Sequence, residues 1–350
     1  MQKKIIFHII PKLTNGGAET VLRRLVEEWH AKGFEQYVIT IQGEESDYHH
    51  KQLTQYSTVI HAKFEFQRAI QCLKDHPDTK ILAWMYMGIQ KAYIWRKKAK
   101  GSQEIIWNIR RSYFRRFEWR QRLGLFAMGL YSQWVKPRIL FCAYIAQKAH
   151  RPYGFYQTKS LVIGNRLAKK RAVLAASLPA LPEKYFLYVG RYNHAKGPDR
   201  LLRIMDHYID QGGKIPLVIA GRGWDDIPVS KQLKNQIYLL GNIAEVGPLY
   251  QKAAAFLFTS YTEGYPNVVV EAVSFGTPVV GFEAGDSKLI LESYPFGSTV
   301  ESEHEFFEQL QRLLVSPPSI ESRLMEAEKQ QKRFDFSLTL KEYEEFIWKV

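Results

Sequence analysis

The chain has 350 residues, 46% of them hydrophobic, a formal net charge of +14 and only two cysteines, Cys72 and Cys142. That length suits two domains with sizeable cores, and so few cysteines exclude a disulfide framework and fit a reducing compartment. The first apolar run breaks at Pro11 and the uncharged stretch 123–135 is too short to span a bilayer, so neither a signal peptide nor a transmembrane helix is expected.

In chain order, apolar runs at residues 5–10, 36–41, 81–85, 104–109 and 139–143 read as strands, with helical patterns such as 18–32 between them. A second set follows at 185–190, 215–220, 236–240, 255–259 and 278–282, with a helical pattern at 199–211. Such alternation predicts an α/β protein whose parallel sheets carry helices on both faces. The basic, then proline-containing segment 166–183 is the expected boundary, and the tail SLTLKEYEEFIWKV reads as an amphipathic helix.

The first strand leads into NGGAE rather than GxGxxG, so no nicotinamide or flavin site is expected; no GxxxxGK[ST] run signals a P-loop. No Asp-x-Asp pair is present, and His49–His50 lies in a polar loop without a convincing carboxylate set, so no metal is expected. The charge is uneven. Residues 1–175 carry 31 Lys+Arg against 12 Asp+Glu, an excess of 19, whereas residues 176–350 carry 18 against 23, an excess of five negative charges. The first half is therefore expected to meet an anionic partner. Within it, residues 110–138 hold six arginines between 110 and 122, interleaved with Tyr113, Phe114, Phe117 and Trp119, followed by an uncharged stretch that includes Trp134. This composition suits an anionic membrane surface or lipid-linked acceptor, single-stranded nucleic acid, or a solvated basic helix leading into a buried one.

Two strand–turn–helix units in the second half carry chemistry. In EGYPNVVVEA, Glu263 lies in the turn and Glu271 one turn inside a helix that Pro266 or Asn267 would start. A helix start attracts phosphate, and a carboxylate on either side of it suits a sugar–nucleotide diphosphate, with Glu271 on ribose hydroxyls and Glu263 on the sugar. Upstream, GRYNHAKGPD places Arg191 and Lys196 between Gly190 and Gly197, two cations fit to neutralise a diphosphate. Asp286, in AGDS, either lies near the same site or caps the following helix.

GRYNHAKG followed by EGYPNVVVEA and AGDS resembles the retaining glycosyltransferases of family 4, which have the GT-B fold. NGGAE and CAYIAQKAHRPYGFYQTKSLVIGN are similar to other parts of that family, so the resemblance covers most of the chain and is strongest over residues 185–290. It implies two Rossmann-like parallel-sheet domains facing a cleft. Residues 1–170 would bind the acceptor, residues 171–335 the nucleotide sugar, and residues 336–350 would form a helix crossing back to the first domain. The expected catalytic residues are Glu263, Arg191 and Lys196. The expected donor-binding residues are Gly16, Gly17, Gly190, Gly264, Tyr265, Pro266, Asn267, Val268 and Glu271. Where many members carry a cleft histidine, IIWNIRRSYF has Asn108, Arg110 and Arg111, which become candidate acceptor contacts; GNR stands where a PNG-like sequence usually ends the domain.

The expected function is metal-independent transfer of a hexose-type sugar from a nucleotide sugar, UDP favoured over GDP, to a glycan or lipid-linked acceptor. That acceptor would belong to polysaccharide or lipopolysaccharide synthesis, on the cytoplasmic, inner face of a membrane bound peripherally through residues 110–138. No cofactor and no nucleic-acid partner are expected. The alternatives are a sugar-nucleotide epimerase or phosphorylase of the same fold, or a basic nucleic-acid-binding protein.

Overall fold

IIFHII forms the first strand, β1 (Ile5–Ile10), and every residue after Ile5 is buried. Apart from His8 the run is apolar, as a parallel strand with both faces covered requires. The structure, a computed structural model, describes residues 4–14, 16–112, 119–166, 180–225, 227–243 and 245–348. It divides into two units, residues 1–165 with 339–350, and residues 166–338.

The first unit is built on β1, β2 (Glu35–Thr40), β3 (Thr58–His61), β4 (Lys80–Trp84), β5 (Glu104–Ile109), β6 (Ile139–Phe141) and β7 (Ser160–Val162). They form a parallel sheet in the order β3-β2-β1-β4-β5-β6-β7. Around it lie α1 (Gly17–Ala31), α2 (His50–Leu53), α3 (Phe66–Asp75), α4 (Met85–Ala99), α5 (Trp119–Val135) and α6 (Tyr144–His150). The α1 helix shows the rule for the set: Val21, Leu22, Leu25, Val26 and Trp29 recur at helical spacing and are all buried. The α5 helix breaks that rule. It buries only Leu125, Met128, Gly129 and Ser132 and exposes Trp119, Leu123, Phe126, Leu130 and Trp134 in one three- and four-residue stripe.

The second unit has β8 (Phe186–Val189), β9 (Leu217–Ala220), β10 (Ile237–Leu239), β11 (Ala255–Phe258), β12 (Val279–Phe282) and β13 (Gly297–Val300). They form a parallel sheet ordered β10-β9-β8-β11-β12-β13. Its helices are α7 (Pro198–Asp210), α8 (Lys231–Lys234), α9 (Gly247–Lys252), α10 (Asn267–Ser274), α11 (Ser287–Leu291), α12 (Glu303–Val315) and α13 (Ile320–Arg333). One core, with Leu187, Val218, Phe256, Val269, Val270 and Val273, covers one face of the sheet; another, with Phe186, Ile219, Leu201, Met205, Leu257 and Phe306, covers the other. Each buried valine or leucine contributes about 1.5–3 kcal/mol, which is what presses α7 and α10 against the sheet and fixes the loops that precede them.

The last helix, α14 (Phe336–Trp348), belongs to the first unit from Thr339 onward. Tyr343 is buried there and its hydroxyl accepts hydrogen bonds from Asn108 Nδ2 at 3.3 Å and Arg110 Nη1 at 2.9 Å. Trp29 Nε1 and Lys32 Nζ reach Glu344 at 3.1 and 2.7 Å, and Arg138 donates to Phe346 O at 2.6 Å.

The expected strand positions hold to within a residue or two, but β3, β7 and β13 were not anticipated. The expected strand 81–85 stops at Trp84 because Met85 turns to φ +61° and opens α4. Tyr113, Phe114, Arg115, Arg116 and Phe117, Asn15 of the NGGAE turn, and residues 167–179 of the expected boundary lie outside the described residues.

Candidate functional site

Two loops of the second unit meet at the C-terminal ends of β8 and β11, the edge at which open α/β sheets bind ligands. After β8, residues 190–197 lead into α7; after β11, residues 259–266 lead into α10. Gly197 makes their junction possible. Its φ is +62°, and a Cβ there would stand 2.0 Å from Thr259 O. Lys196 O accepts from Tyr188 Oη at 3.1 Å and from Thr259 Oγ1 at 3.2 Å, and Ala195 O accepts from Tyr261 N at 2.9 Å.

This seam brings Lys196 to Glu263, with Nζ 2.6 Å from Oε1. Ser260 Oγ donates to the same oxygen at 2.9 Å. The pair is largely shielded, its side chains 28% and 13% exposed, so the bond is stronger than a surface ion pair. Gly264 O accepts from Asp286 N at 3.0 Å, and Gly285 at φ +64° allows that approach. Asp286 holds the N-cap position of α11 without a side-chain cap, and its backbone ties it to the Glu263 turn.

The α10 helix starts at Asn267 with Pro266 at its N-cap. The amides of Val269 and Val270 return to Pro266 O, whereas that of Val268 has no acceptor among the described residues and adds to the positive end of the helix. Glu271, one turn in and half-buried, accepts from Tyr250 Oη at 3.4 Å. Burial, and then the negative charge of Glu271, push the Tyr250 phenol well up, so it remains a donor. Tyr265 is half-buried beside Pro266 and packs against the core that holds α10.

Gly190 is approached by Trp224 Nε1, which donates to its carbonyl at 2.9 Å, and by Gly221, where a Cβ would lie 2.1 Å from the same oxygen. Arg191 is exposed and makes no hydrogen bond or ion pair among the described residues. Sequence reasoning missed Tyr261, Arg200 and Ser260. Tyr261 donates to Asp199 Oδ2 at 2.5 Å and stacks on His194, and Arg200 lies 3.9 Å from its ring and 4.2 Å from that of Phe282. Burial raises the Asp199 carboxyl, but hydrogen bonds from Tyr261 and Arg203 outweigh it and hold the group below its ordinary range. The one sequence signal for this cluster is adjacency to the two motifs.

In the first unit, Gly16 caps α1 and Gly17 opens it, at the C-terminal end of β1. Thr14 Oγ1 donates to Glu19 Oε1 at 2.9 Å across this turn. The candidate acceptor contacts divide. Asn108 is buried and Arg110 half-buried, and both hold Tyr343; Arg110 also reaches Asn165. Their contacts give them a structural part in seating α14. Arg111 is exposed. His49 bonds Gln52 at 3.2 Å and His50 bonds His61 at 2.9 Å. Among the described residues no three His, Cys, Asp or Glu are grouped to hold a metal ion, and no helix is long and apolar enough to cross a membrane.

Residues 183–316 match the family model described as glycosyl transferases group 1. That segment belongs to this family, and the chain has the two-sheet α/β fold of GT-B glycosyltransferases. Among solved structures, HepE of Anabaena in complex with UDP is similar at TM-score 0.77 and 17% identity, over 99% of this chain and 100% of that one. An uncharacterized glycosyltransferase of Methanocaldococcus jannaschii is 30% identical over 100 residues, 27% of this chain and 25% of its own length. A Campylobacter jejuni protein named GalNAc-alpha-(1->4)-GalNAc-alpha-(1->3)-diNAcBac-PP-undecaprenol alpha-1,4-N-acetyl-D-galactosaminyltransferase is 31% identical over 98 residues, 27% of each chain. The chain thus spans about a quarter of the length of these two curated relatives.

Proposed function

We propose that the chain is a retaining, metal-independent glycosyltransferase of the family 4 type. It moves a hexose-type sugar from a UDP-sugar to a glycan or lipid-linked acceptor in cell-surface polysaccharide or lipopolysaccharide synthesis. The observation that carries this reading is the shielded Lys196–Glu263 pair at the C-terminal edge of the second sheet, 2.6 Å apart and fixed by the seam at Gly197.

An ammonium has three donors, and Glu263 takes one. The remaining N–H groups of Lys196, the exposed Arg191 and the positive end of α10 meet the negative charge that grows on the diphosphate as its bond to the sugar breaks. Gly190 and Gly264–Val268 let the backbone approach the donor, Glu271 takes the ribose hydroxyls, and Glu263 faces the sugar. The acceptor hydroxyl attacks from the face the diphosphate leaves. A new C–O bond replaces the broken one with configuration kept, and a diphosphate oxygen takes the hydroxyl proton. Gly16, Gly17 and Arg111 are the first unit's candidates for contact with donor and acceptor.

Support for UDP comes from the HepE complex, and support for a lipid-linked acceptor from the name of the Campylobacter relative. In the same reading the first unit docks on the inner, cytoplasmic face of an anionic membrane. The exposed α5 stripe supports this, flanked by exposed Arg120 and Arg122.

The test is a panel of nucleotide sugars scored by thermal shift, followed by release of nucleotide with and without an acceptor extract, in excess EDTA. A donor at a hundred times its Kd adds about 2.7 kcal/mol of stability. Stabilisation by one nucleotide sugar and acceptor-dependent release in EDTA support the reading. Release that needs added magnesium or manganese removes metal independence, and no stabilisation by any donor removes the transferase.

A further inference from the structure

A concave site lies in the first unit, at the edge of the sheet opposite the C-terminal ends of its strands. It is an open groove of about 1200 Å3, lined by the C-terminal ends of α4 and α5 and by the residues that lead into β5, β6 and β7. Substrates of open α/β sheets bind beyond the C-terminal ends of the strands, whereas Glu104, Arg138 and Lys159 mark the N-terminal ends here. The site is therefore no part of an acceptor pocket.

Its chemistry is one-sided. Arg96, Lys97, Lys100, Lys136, Arg138 and Lys159 line it, against one carboxylate, Glu104. Glu104 is already engaged by Lys80 and by Arg138, whose Nε is 3.3 Å away. Arg96 is pinned to Gln103 O at 3.0 Å. The four lysines make no side-chain hydrogen bond or ion pair among the described residues. Four exposed ammonium groups around one concavity concentrate positive potential there and draw in an anion. Tyr93, Tyr131 and Trp134 supply aromatic walls, and Trp134, 79% exposed, is also the last residue of the α5 stripe.

The backbone adds an independent sign. Among the described residues only three without a glycine backbone have positive φ: Met85, Lys100 at +54° and Lys136 at +46°. Both lysines end a helix at this cavity, in a conformation for which glycine is the ordinary residue. A lysine there answers the negative end of its helix, yet glycine would remove the strain. Keeping two strained lysines on one cavity, beside two others, goes beyond capping.

We propose that this cavity is a phosphate site for the headgroups of anionic membrane lipid. The lysines take the phosphate oxygens while Trp134, on the same wall, enters the acyl boundary beside them. The proposal rests on the membrane-docking part of the function above and on nothing in the transfer chemistry.

The test uses the full chain, sedimented with vesicles of phosphatidylcholine alone or mixed with phosphatidylglycerol. The Lys100→Gly/Lys136→Gly variant should melt no lower than the unaltered protein, since glycine suits both backbones. Its partition onto mixed vesicles should fall about thirtyfold, from about fivefold for each basic residue at an anionic surface. Lys97→Gln/Lys159→Gln, at unstrained positions, should fall comparably, and UDP binding should stay unchanged in both. Leu123→Ser/Leu130→Ser separates the two claims: it weakens docking through the stripe and leaves the lysines in place. If the unaltered protein sediments with neither vesicle, the docking reading fails and takes this one with it. If it binds mixed vesicles and both lysine variants bind equally well, the cavity proposal alone fails. If it binds inorganic pyrophosphate through these lysines but no vesicle, the ligand is a soluble phosphate and the lipid assignment is wrong.

Discussion

Glu263→Gln separates positioning from binding at the candidate site. The carboxamide keeps an acceptor for Ser260 Oγ but turns the 2.6 Å bond from Lys196 into one to a neutral oxygen. A hydrogen bond to a charged group contributes about 1.5–3 kcal/mol and a neutral one about 1 kcal/mol, so the second unit should lose about 1–2 kcal/mol. For a unit of this size that lowers Tm by roughly 2–8 °C. Lys196 is then released from its carboxylate, and all three of its donors can turn to a diphosphate. UDP affinity, measured by titration calorimetry, should therefore hold or rise severalfold. Transfer should fall about a hundredfold to a thousandfold, the scale of losing one group that meets transition-state charge. An unchanged Tm together with a tenfold loss of UDP affinity would refute the reasoning, since Lys196 would then owe nothing to Glu263.

Glu271→Ala should weaken UDP binding about tenfold to a hundredfold by calorimetry, the cost of one charge-assisted bond; unaltered affinity removes the ribose assignment. Gly197→Ala places a methyl against Thr259 O at a left-handed φ, so soluble expression or Tm should drop sharply and transfer should vanish with the seam. Burial lowers the His8 pKa to about 3. The unfolded chain therefore takes up this proton first, and the stability that neutral His8 contributes is complete above pH 6.5. It is lost by about 1.4 kcal/mol per pH unit as pH falls from 6.5 toward 3. Urea titrations across that window should show a shallower pH slope in His8→Phe.

What could be read in the sequence follows from where each residue lies. Central strands such as β1, β8 and β11 are covered on both faces, so they appear as apolar runs, broken only by His8 in β1. The overlooked β3, β7 and β13 are edge strands, with sequences TVIH, SLV and GSTV too short and too polar to stand out. Glu263, Lys196 and Gly197 were legible because turn chemistry is local. Tyr261 and Arg200 were not, because their roles arise where two loops some sixty residues apart are joined. Asn108 and Arg110 were assigned to an acceptor because nothing nearby reveals Tyr343, their partner more than 230 residues along the chain.

The return of α14 to the first unit sets an order of events during synthesis. Residues 166–338 are contiguous in the chain, so their cores wait for no segment from outside them. The earlier residues cannot finish, because Asn108, Arg110 and Trp29 wait for Tyr343 and Glu344. The half translated first thus needs the segment translated last. A fragment ending at Asn165 would carry an open groove where α14 belongs, whereas one that joins residues 1–165 to 339–348 by a short linker would have the means to fill it.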